Sequence, residues 1–137
     1  MLEIPVSTVP GLRVPFHLSY ILWLSGFSKT LALTYLRFAL LQCRLWRVEP
    51  SFLLHPLDFL DARHAPRLGF FPGMDLPREH KLEMADAFIE EYQKHFDVVP
   101  LEEHARRIRA RGRLKEKIAG DPNGFQRAEV AWDCRPE

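Results

Sequence analysis

Apolar residues recur at three- and four-residue steps in two long segments, and this spacing predicts two helices. The first begins near Ser28, a residue type that caps helix N-termini, and runs to about Trp46. Its apolar side chains cover most of the helix circumference, so we expect neighbours on several sides of it. The second begins at Pro77 and runs to about Phe96, with one apolar face that comprises Leu82, Ala85, Phe88, Ile89, Tyr92 and Phe96.

A third helix is predicted from Pro100, because a proline followed by Glu102 and Glu103 suits the first turn of a helix. Gly112 is its expected end. A run of basic residues occupies the later turns, and no aromatic residues are interleaved with it as they are in many single-strand nucleic-acid surfaces. We therefore interpret the run as a solvated helix face. Its members are Arg106, Arg107, Arg109, Arg111 and Arg113.

Three short segments with the composition of strands separate these helices: residues 2–8, Ser51–Leu54 and residues 97–99. The alternation predicts an α/β fold, with parallel strands joined by crossover helices. The helix after Ser28 is more apolar than three short strands can cover. This mismatch indicates that the chain is part of a larger fold. Beyond residue 113 the apolar pattern ends, and we expect a weakly ordered tail over residues 114–137.

His55 is the most informative single residue in this pattern. It ends the apolar run, and Pro56 biases it toward extended geometry and stops any strand there. A histidine at the carboxyl end of a buried parallel strand lies where α/β proteins place their active sites. The alternative is a histidine that caps the strand and is hydrogen-bonded to a loop.

Composition narrows the class of protein. The 137 residues correspond to one domain, and the net charge of +1 gives no reason to expect nucleic acid or an anionic membrane as a partner. Lys29 and Arg37 interrupt the one apolar stretch, residues 21–41, that is long enough to be considered as a membrane span. Cys43 and Cys134 form no metal motif and are expected to be reduced, so we predict a cytoplasmic protein without a membrane span.

An ordered series of segments resembles the C-terminal part of bacterial NodB-homology polysaccharide deacetylases. The segments cover roughly residues 2 to 110, and we read residues 1–113 as this part of the family. They are Glu3-Ile4-Pro5-Val6-Ser7-Thr8-Val9-Pro10, Arg13-Val14-Pro15-Phe16-His17-Leu18-Ser19-Tyr20, Tyr35-Leu36-Arg37-Phe38-Ala39, Pro50-Ser51-Phe52-Leu53-Leu54-His55-Pro56, Gly69-Phe70-Phe71-Pro72-Gly73-Met74 and Val98-Val99-Pro100-Leu101.

The resemblance implies a partial distorted (β/α) barrel from a divalent-metal, zinc-like hydrolase that removes N- or O-acetyl groups from a polysaccharide or oligosaccharide. It gives His55 the role of the catalytic general acid that protonates the departing amine or hydroxyl. It places Leu53 in the acetyl pocket. Asp58 follows His55 by three residues, close enough to orient the His55 ring or to contact substrate. A loop-capping role for Asp58 and Asp61 is the alternative.

The family's earlier motifs are missing from this sequence. An aspartate-rich T-F-D-D-G-like strand end and an H-x-x-x-H metal pair are absent, and no two of the six histidines lie four residues apart. A catalytic zinc needs about three protein ligands, so we expect this chain alone to hold no metal and to catalyse no deacetylation. The leading hypothesis is therefore an incomplete deacetylase, from a truncated, split or decayed gene. The alternatives are a non-catalytic glycan-binding domain and an interaction domain that uses the apolar segment from Ile21 to Leu41 to form oligomers.

Overall fold

Four α-helices form the regular structure of the chain in a computed structural model, which describes residues 4, 6–71 and 73–112. Two short 3-10 turns, Pro56–Phe59 and Pro66–Leu68, lie between the second and third helices. The chain divides into two units, one of residues 5–97, which contains the first three helices, and another to which the fourth belongs. The helices are α1 (Leu18–Ser25), α2 (Lys29–Leu45), α3 (Arg78–Gln93) and α4 (Leu101–Ala110).

The predicted α/β fold is wrong, and with it the partial distorted (β/α) barrel of parallel strands. Within the described residues there is no sheet, and the one strand-like pairing is an isolated antiparallel bridge between Thr8 and Pro15. The apolar run from Ser51 has no neighbouring strand among the described residues, and its first N–H donates to the Ser7 hydroxyl at 2.8 Å. Its apolar side chains pack on a helix instead: the Phe52 ring meets Phe88 edge-on at 5.7 Å.

Residues 97–99 also form no strand. Of the predicted N-terminal strand, residues 2, 3 and 5 lie outside the described part of the chain, as does the predicted tail over residues 114–137. A short apolar run is compatible with a strand or with an irregular segment that covers a helix, and only a hydrogen-bonding partner decides between them.

The three predicted helices are confirmed. The Ser28 hydroxyl accepts a hydrogen bond from the Leu31 N–H at 3.3 Å at the start of α2, as expected of an N-cap. Helix α3 follows Pro77 and ends three residues before the expected position. Gly112 follows α4 with φ of +66°, a left-handed conformation that suits glycine and ends the helix.

Helix α1 was not predicted, because Pro10, Gly11 and Pro15 before it indicate an irregular segment. Those residues do form a turn, in which the Val9 N–H donates to the Val14 carbonyl at 2.8 Å. The helix begins directly after it. Helix α1 is too short to show a clear period, and packing rather than local pattern stabilises it.

Helices α1, α2 and α3 pack against one another around a single core. Tyr92 lies at its centre, with its ring 4.9 Å from both Phe52 and Phe88. In the described ranges no helix has the length and apolar character needed to cross a bilayer, which agrees with the prediction of no membrane span. The fully buried side chains include Phe16, Leu18, Ile21, Leu36, Leu40, Met84, Phe88 and Tyr92.

Glu91 connects α2 to the end of α3. Its buried carboxylate accepts hydrogen bonds from Arg37 Nη2 and from Lys94 Nζ, both at 2.8 Å. These bonds, that from Arg37 first, lower the pKa of Glu91 from 4.5 to about 2. The ionised carboxylate is therefore the form that the folded chain stabilises.

We expect Glu91→Gln to lower the free energy of unfolding by about 1 kcal/mol at neutral pH, since both basic partners are half-exposed and solvent screens the pairs. The folded pKa lies below the unfolded value, so the contribution is complete above pH 4.5 and is lost as the pH falls toward 2. Urea unfolding at neutral pH and near pH 3 measures the difference. Glu90→Gln, an exposed neighbour on the same helix, is the control and should change stability by only a few tenths of a kcal/mol. A difference that persists undiminished at the lower pH would contradict this role.

Candidate functional site

His55 lies at the end of an irregular segment, directly before the first 3-10 turn. Its backbone is extended, with φ of −106° and ψ of 149°, as the proline that follows it predicts. No parallel strand leads to it, so its position is not the strand end that the sequence suggested. Its side chain is 47% exposed, which leaves part of the ring open to solvent.

Asp58 is the buried partner that fixes this segment. It is 3% exposed, and its two carboxylate oxygens serve two different donors. Oδ2 accepts from the His55 N–H at 2.8 Å, and Oδ1 accepts from the Ser19 hydroxyl at 2.7 Å. The first bond caps the 3-10 turn, and the same Oδ2 lies 3.7 Å from Nδ1 of the His55 ring. Asp58 thus caps the loop and stands beside the imidazole.

Ser19, on α1, joins the carboxylate to the ring. Its Oγ is 3.0 Å from His55 Nδ1. A hydroxyl has one proton, and when Ser19 donates it to Asp58 the oxygen can only accept from the ring. We therefore expect His55 to carry its proton on Nδ1, which leaves Nε2 as the nitrogen that exchanges protons with a ligand. Sequence reasoning missed Ser19, because 36 positions separate it from His55 and no spacing rule connects them.

His17 is the second imidazole of the cluster and precedes α1. Its ring meets the His55 ring edge-on, with centroids 6.0 Å apart. Burial, followed by the charge of His55, lowers the pKa of His17. The structure places His17 half-buried beside the candidate acid.

Lys81 holds the loop that carries His55 and Asp58. It is 1% exposed, and its ammonium donates to the carbonyls of Leu57 at 2.9 Å and Leu60 at 2.5 Å. Burial lowers the pKa of Lys81. The sequence pattern did not distinguish this lysine from the exposed charges of α3. Its position shows that α3 fixes the loop from one side, while Ser19 of α1 holds it from the other.

Asp61 organises the next stretch of the same loop. Its buried carboxylate accepts from the Arg63 and His64 side chains and from the Arg78 N–H at the start of α3. The hydrogen bond from Arg63 is the largest cause that lowers the pKa of Asp61. These contacts give Asp61 a loop-capping role, which is the alternative that the sequence left open.

A divalent metal does not fit these residues. Both oxygens of Asp58 are engaged by donors, and His55 Nδ1 is turned to Ser19. Among the described residues no three histidine, cysteine, aspartate or glutamate side chains are grouped closely enough to hold a metal ion. This cluster suits proton transfer rather than metal binding.

Leu53 and the exposed aromatic residues are the remaining candidates for contact with a ligand. Leu53, two residues before His55, is 38% exposed. Phe70 is 78% exposed and lies against Phe71, with ring centroids 4.8 Å apart.

Comparison of the chain with models of protein families, with curated proteins and with solved structures found no match. The resemblance to NodB-homology deacetylases therefore stays a prediction.

Proposed function

We propose that this chain supplies the proton-donating histidine of a polysaccharide deacetylase, which hydrolyses N- or O-acetyl groups on a glycan. The observation that supports this most strongly is the chain of contacts from Asp58 through Ser19 to His55 Nδ1. It leaves Nε2 as the exchangeable position of a half-exposed ring. A buried carboxylate that orients an exposed imidazole is the arrangement expected of a general acid.

The proposed step needs His55 as an imidazolium. Its Nδ1–H donates to Ser19, and its Nε2–H donates to the nitrogen or oxygen that leaves the acetyl carbon. As the tetrahedral intermediate collapses, the bond from carbon to the leaving atom breaks, that atom takes the Nε2 proton, and acetate is released. The histidine is left neutral with its proton on Nδ1. In this tautomer its Nδ1–H still donates to the Ser19 hydroxyl oxygen. Nε2 is then reprotonated from solvent.

Other parts of the reaction need residues beyond this cluster. The attacking water requires a base and, by the resemblance, a metal, and the described residues provide no ligand set for one. In this proposal the chain contributes the general acid and an apolar contact from Leu53 to the acetyl methyl group. A cytoplasmic location remains a prediction.

A second candidate is a glycan-binding domain without catalysis. The exposed aromatic residues favour it, because sugar rings stack on such surfaces: Trp23 is 44% exposed and lies 5.1 Å from the Phe27 ring. Binding on this surface does not require His55. A His55 variant therefore separates the two candidates.

Titration of the chain with tetra-N-acetylchitotetraose, followed by nuclear magnetic resonance, tests the proposal. We expect shifts at the His55 ring protons and the Leu53 methyl groups, and at least about tenfold weaker binding for His55→Ala. His64→Ala is the matched control, since that ring is held by Asp61, and should bind as the wild type does. The fully deacetylated oligomer should shift these signals less, because it lacks the acetyl group.

An acetylated oligomer that shifts neither His55 nor Leu53 would contradict the proposal. Binding that moves only Trp23, Phe27 or Phe70 signals and survives His55→Ala would favour the glycan-binding alternative.

A further inference from the structure

His17 lies at the N-cap position of α1, in a conformation that disfavours its protonation. Its backbone has φ of −66° and ψ of 164°, and its side chain makes no capping hydrogen bond. The Nδ1 atom of its ring is buried and has no hydrogen-bond partner in the part of the chain that the structure describes. An imidazolium carries a proton on both ring nitrogens. Protonation of His17 in this conformation would therefore bury an N–H that lacks an acceptor, which is unfavourable.

The charges around His17 oppose its protonation as well. The His55 ring lies edge-on to it, with centroids 6.0 Å apart, so two protonated rings would repel each other. The N-terminus of α1 carries partial positive charge, and no acidic residue in the first turn of the helix offsets it. Asp58 acts in the other direction, but its effect on the pKa of His17 is smaller than that of burial or of His55.

The titratable groups that α2 and α3 bring to this region offer no negative charge. The Tyr35 hydroxyl of α2 donates to the Pro15 carbonyl at 2.9 Å, and burial raises the pKa of Tyr35 to about 12, so this phenol stays neutral near neutral pH. Lys81 of α3 is a basic group that donates to two carbonyls of the loop between residues 57 and 60. Neither group compensates a charge on His17.

The backbone on either side of His17 is fixed by the core. Phe16 is 1% exposed, and Leu18 is fully buried. The segment therefore stays in place when the ring between these two residues becomes charged. Movement is left to the His17 side chain and to the loop that packs against it, which is linked to α1 by the hydrogen bond from Ser19 to Asp58 at 2.7 Å.

We propose that His17 is an acid-sensitive switch of this fold. The neutral ring packs against His55 and keeps the loop on α1, whereas protonation moves the ring into solvent and releases the loop. The released state hydrates the imidazolium and loses the hydrogen bond from Ser19 to Asp58. The switch follows from the packing of α1 against the loop and is independent of the proposed deacetylase role.

A nuclear magnetic resonance titration of the wild-type chain from about pH 8 to about pH 5 tests the switch without any glycan. We expect the His17 ring to titrate at a lower pH than the histidines of the same chain unfolded in urea. The amide signals of Ser19 and Asp58 should change with the His17 midpoint, because release of the loop breaks their hydrogen bond. A ring that titrates at or above the unfolded value overturns the proposal. So do Ser19 and Asp58 signals that show no change at that midpoint.

Urea unfolding at about pH 7.5 and about pH 5 provides a second test. The pKa of His17 in the folded chain lies below its ordinary value of 6.5, so stability is highest above pH 6.5 and falls as the pH drops toward the folded pKa. His17→Phe keeps an aromatic ring that does not titrate. We expect its unfolding equilibrium constant, divided by that of the wild type, to fall about threefold or more between the higher and the lower pH.

Val14→Ala is the matched control, because it changes the same segment without adding or removing a titratable group. It should change the wild-type unfolding constant by the same factor at both pH values. A His17→Phe ratio that is equal at the two pH values would contradict the switch.

Discussion

Replacing Lys81 by methionine is expected to lower the free energy of unfolding by about 2–4 kcal/mol. The ammonium donates to the Leu57 and Leu60 carbonyls, and methionine of similar length removes both hydrogen bonds. The Leu57 carbonyl keeps the Leu60 N–H at 3.4 Å, so the Leu60 carbonyl is the one that loses its donor. A buried carbonyl without a donor costs about 1–3 kcal/mol. The same change releases the loop after His55 from α3, so the His55 resonances should broaden or move.

Urea unfolding followed by circular dichroism measures the first effect. Lys29→Met is the matched control: its ammonium pairs with Glu83 at the surface, where such a pair is worth about 1 kcal/mol or less. If Lys81→Met stays within about 0.5 kcal/mol of the wild type, the loop is held by other contacts and the account of Lys81 is wrong.

Replacing Asp58 by alanine is expected to change both stability and the chemistry of His55. The His55 N–H and the Ser19 hydroxyl lose their acceptor, and we expect a loss of about 1–3 kcal/mol. The Ser19 proton is then free to point at His55 Nδ1, so the ring can carry its own proton on Nε2 instead. Asp58→Ala should therefore move the tautomer of His55 away from Nδ1–H.

The matched control is Asp75→Ala, because Asp75 is exposed on the same connecting segment. It should leave the stability and the tautomer as they are. If Asp58→Ala unfolds the chain, Ser19→Ala provides the independent test, since it removes the link to Asp58 and keeps the cap on the 3-10 turn. A His55 tautomer that neither substitution changes would show that Asp58 and Ser19 do not set it.

The helices could be predicted from the sequence where local signals were strong. Ser28 capped α2, Pro77 preceded α3, and Gly112 followed α4, all as their residue types require. The strands were wrong because a strand depends on a partner, which a short apolar run does not specify. The barrel followed from those strands, together with the resemblance, and was wrong with them. Helix α1 could not be predicted, since packing on α2 and α3 stabilises it.

The candidate site was predictable in part for a similar reason. His55 and Asp58 lie three residues apart on either side of Pro56, so local reasoning could find both. Ser19 comes from α1, the helix that the sequence did not reveal. Lys81 looked like the exposed charged residues of α3, and only the loop that packs over it makes it buried. Local sequence signals therefore identified His55 and Asp58. Ser19 and Lys81 join the site through contacts between segments that are distant in the sequence.

The tautomer of His55 is the measurement that tests the account most directly. A long-range proton–nitrogen correlation spectrum of the ¹⁵N-labelled chain, above the pH at which its histidines titrate, reports which ring nitrogen carries the proton, and His55→Gln assigns the signal. We predict Nδ1–H for His55. The same spectrum contains a contrast, because Ser25 donates to the Leu22 carbonyl and must accept from His80, which fixes His80 as Nε2–H. Finding His55 as Nε2–H, like His80, would contradict the proposed orientation and the proton transfer that depends on it.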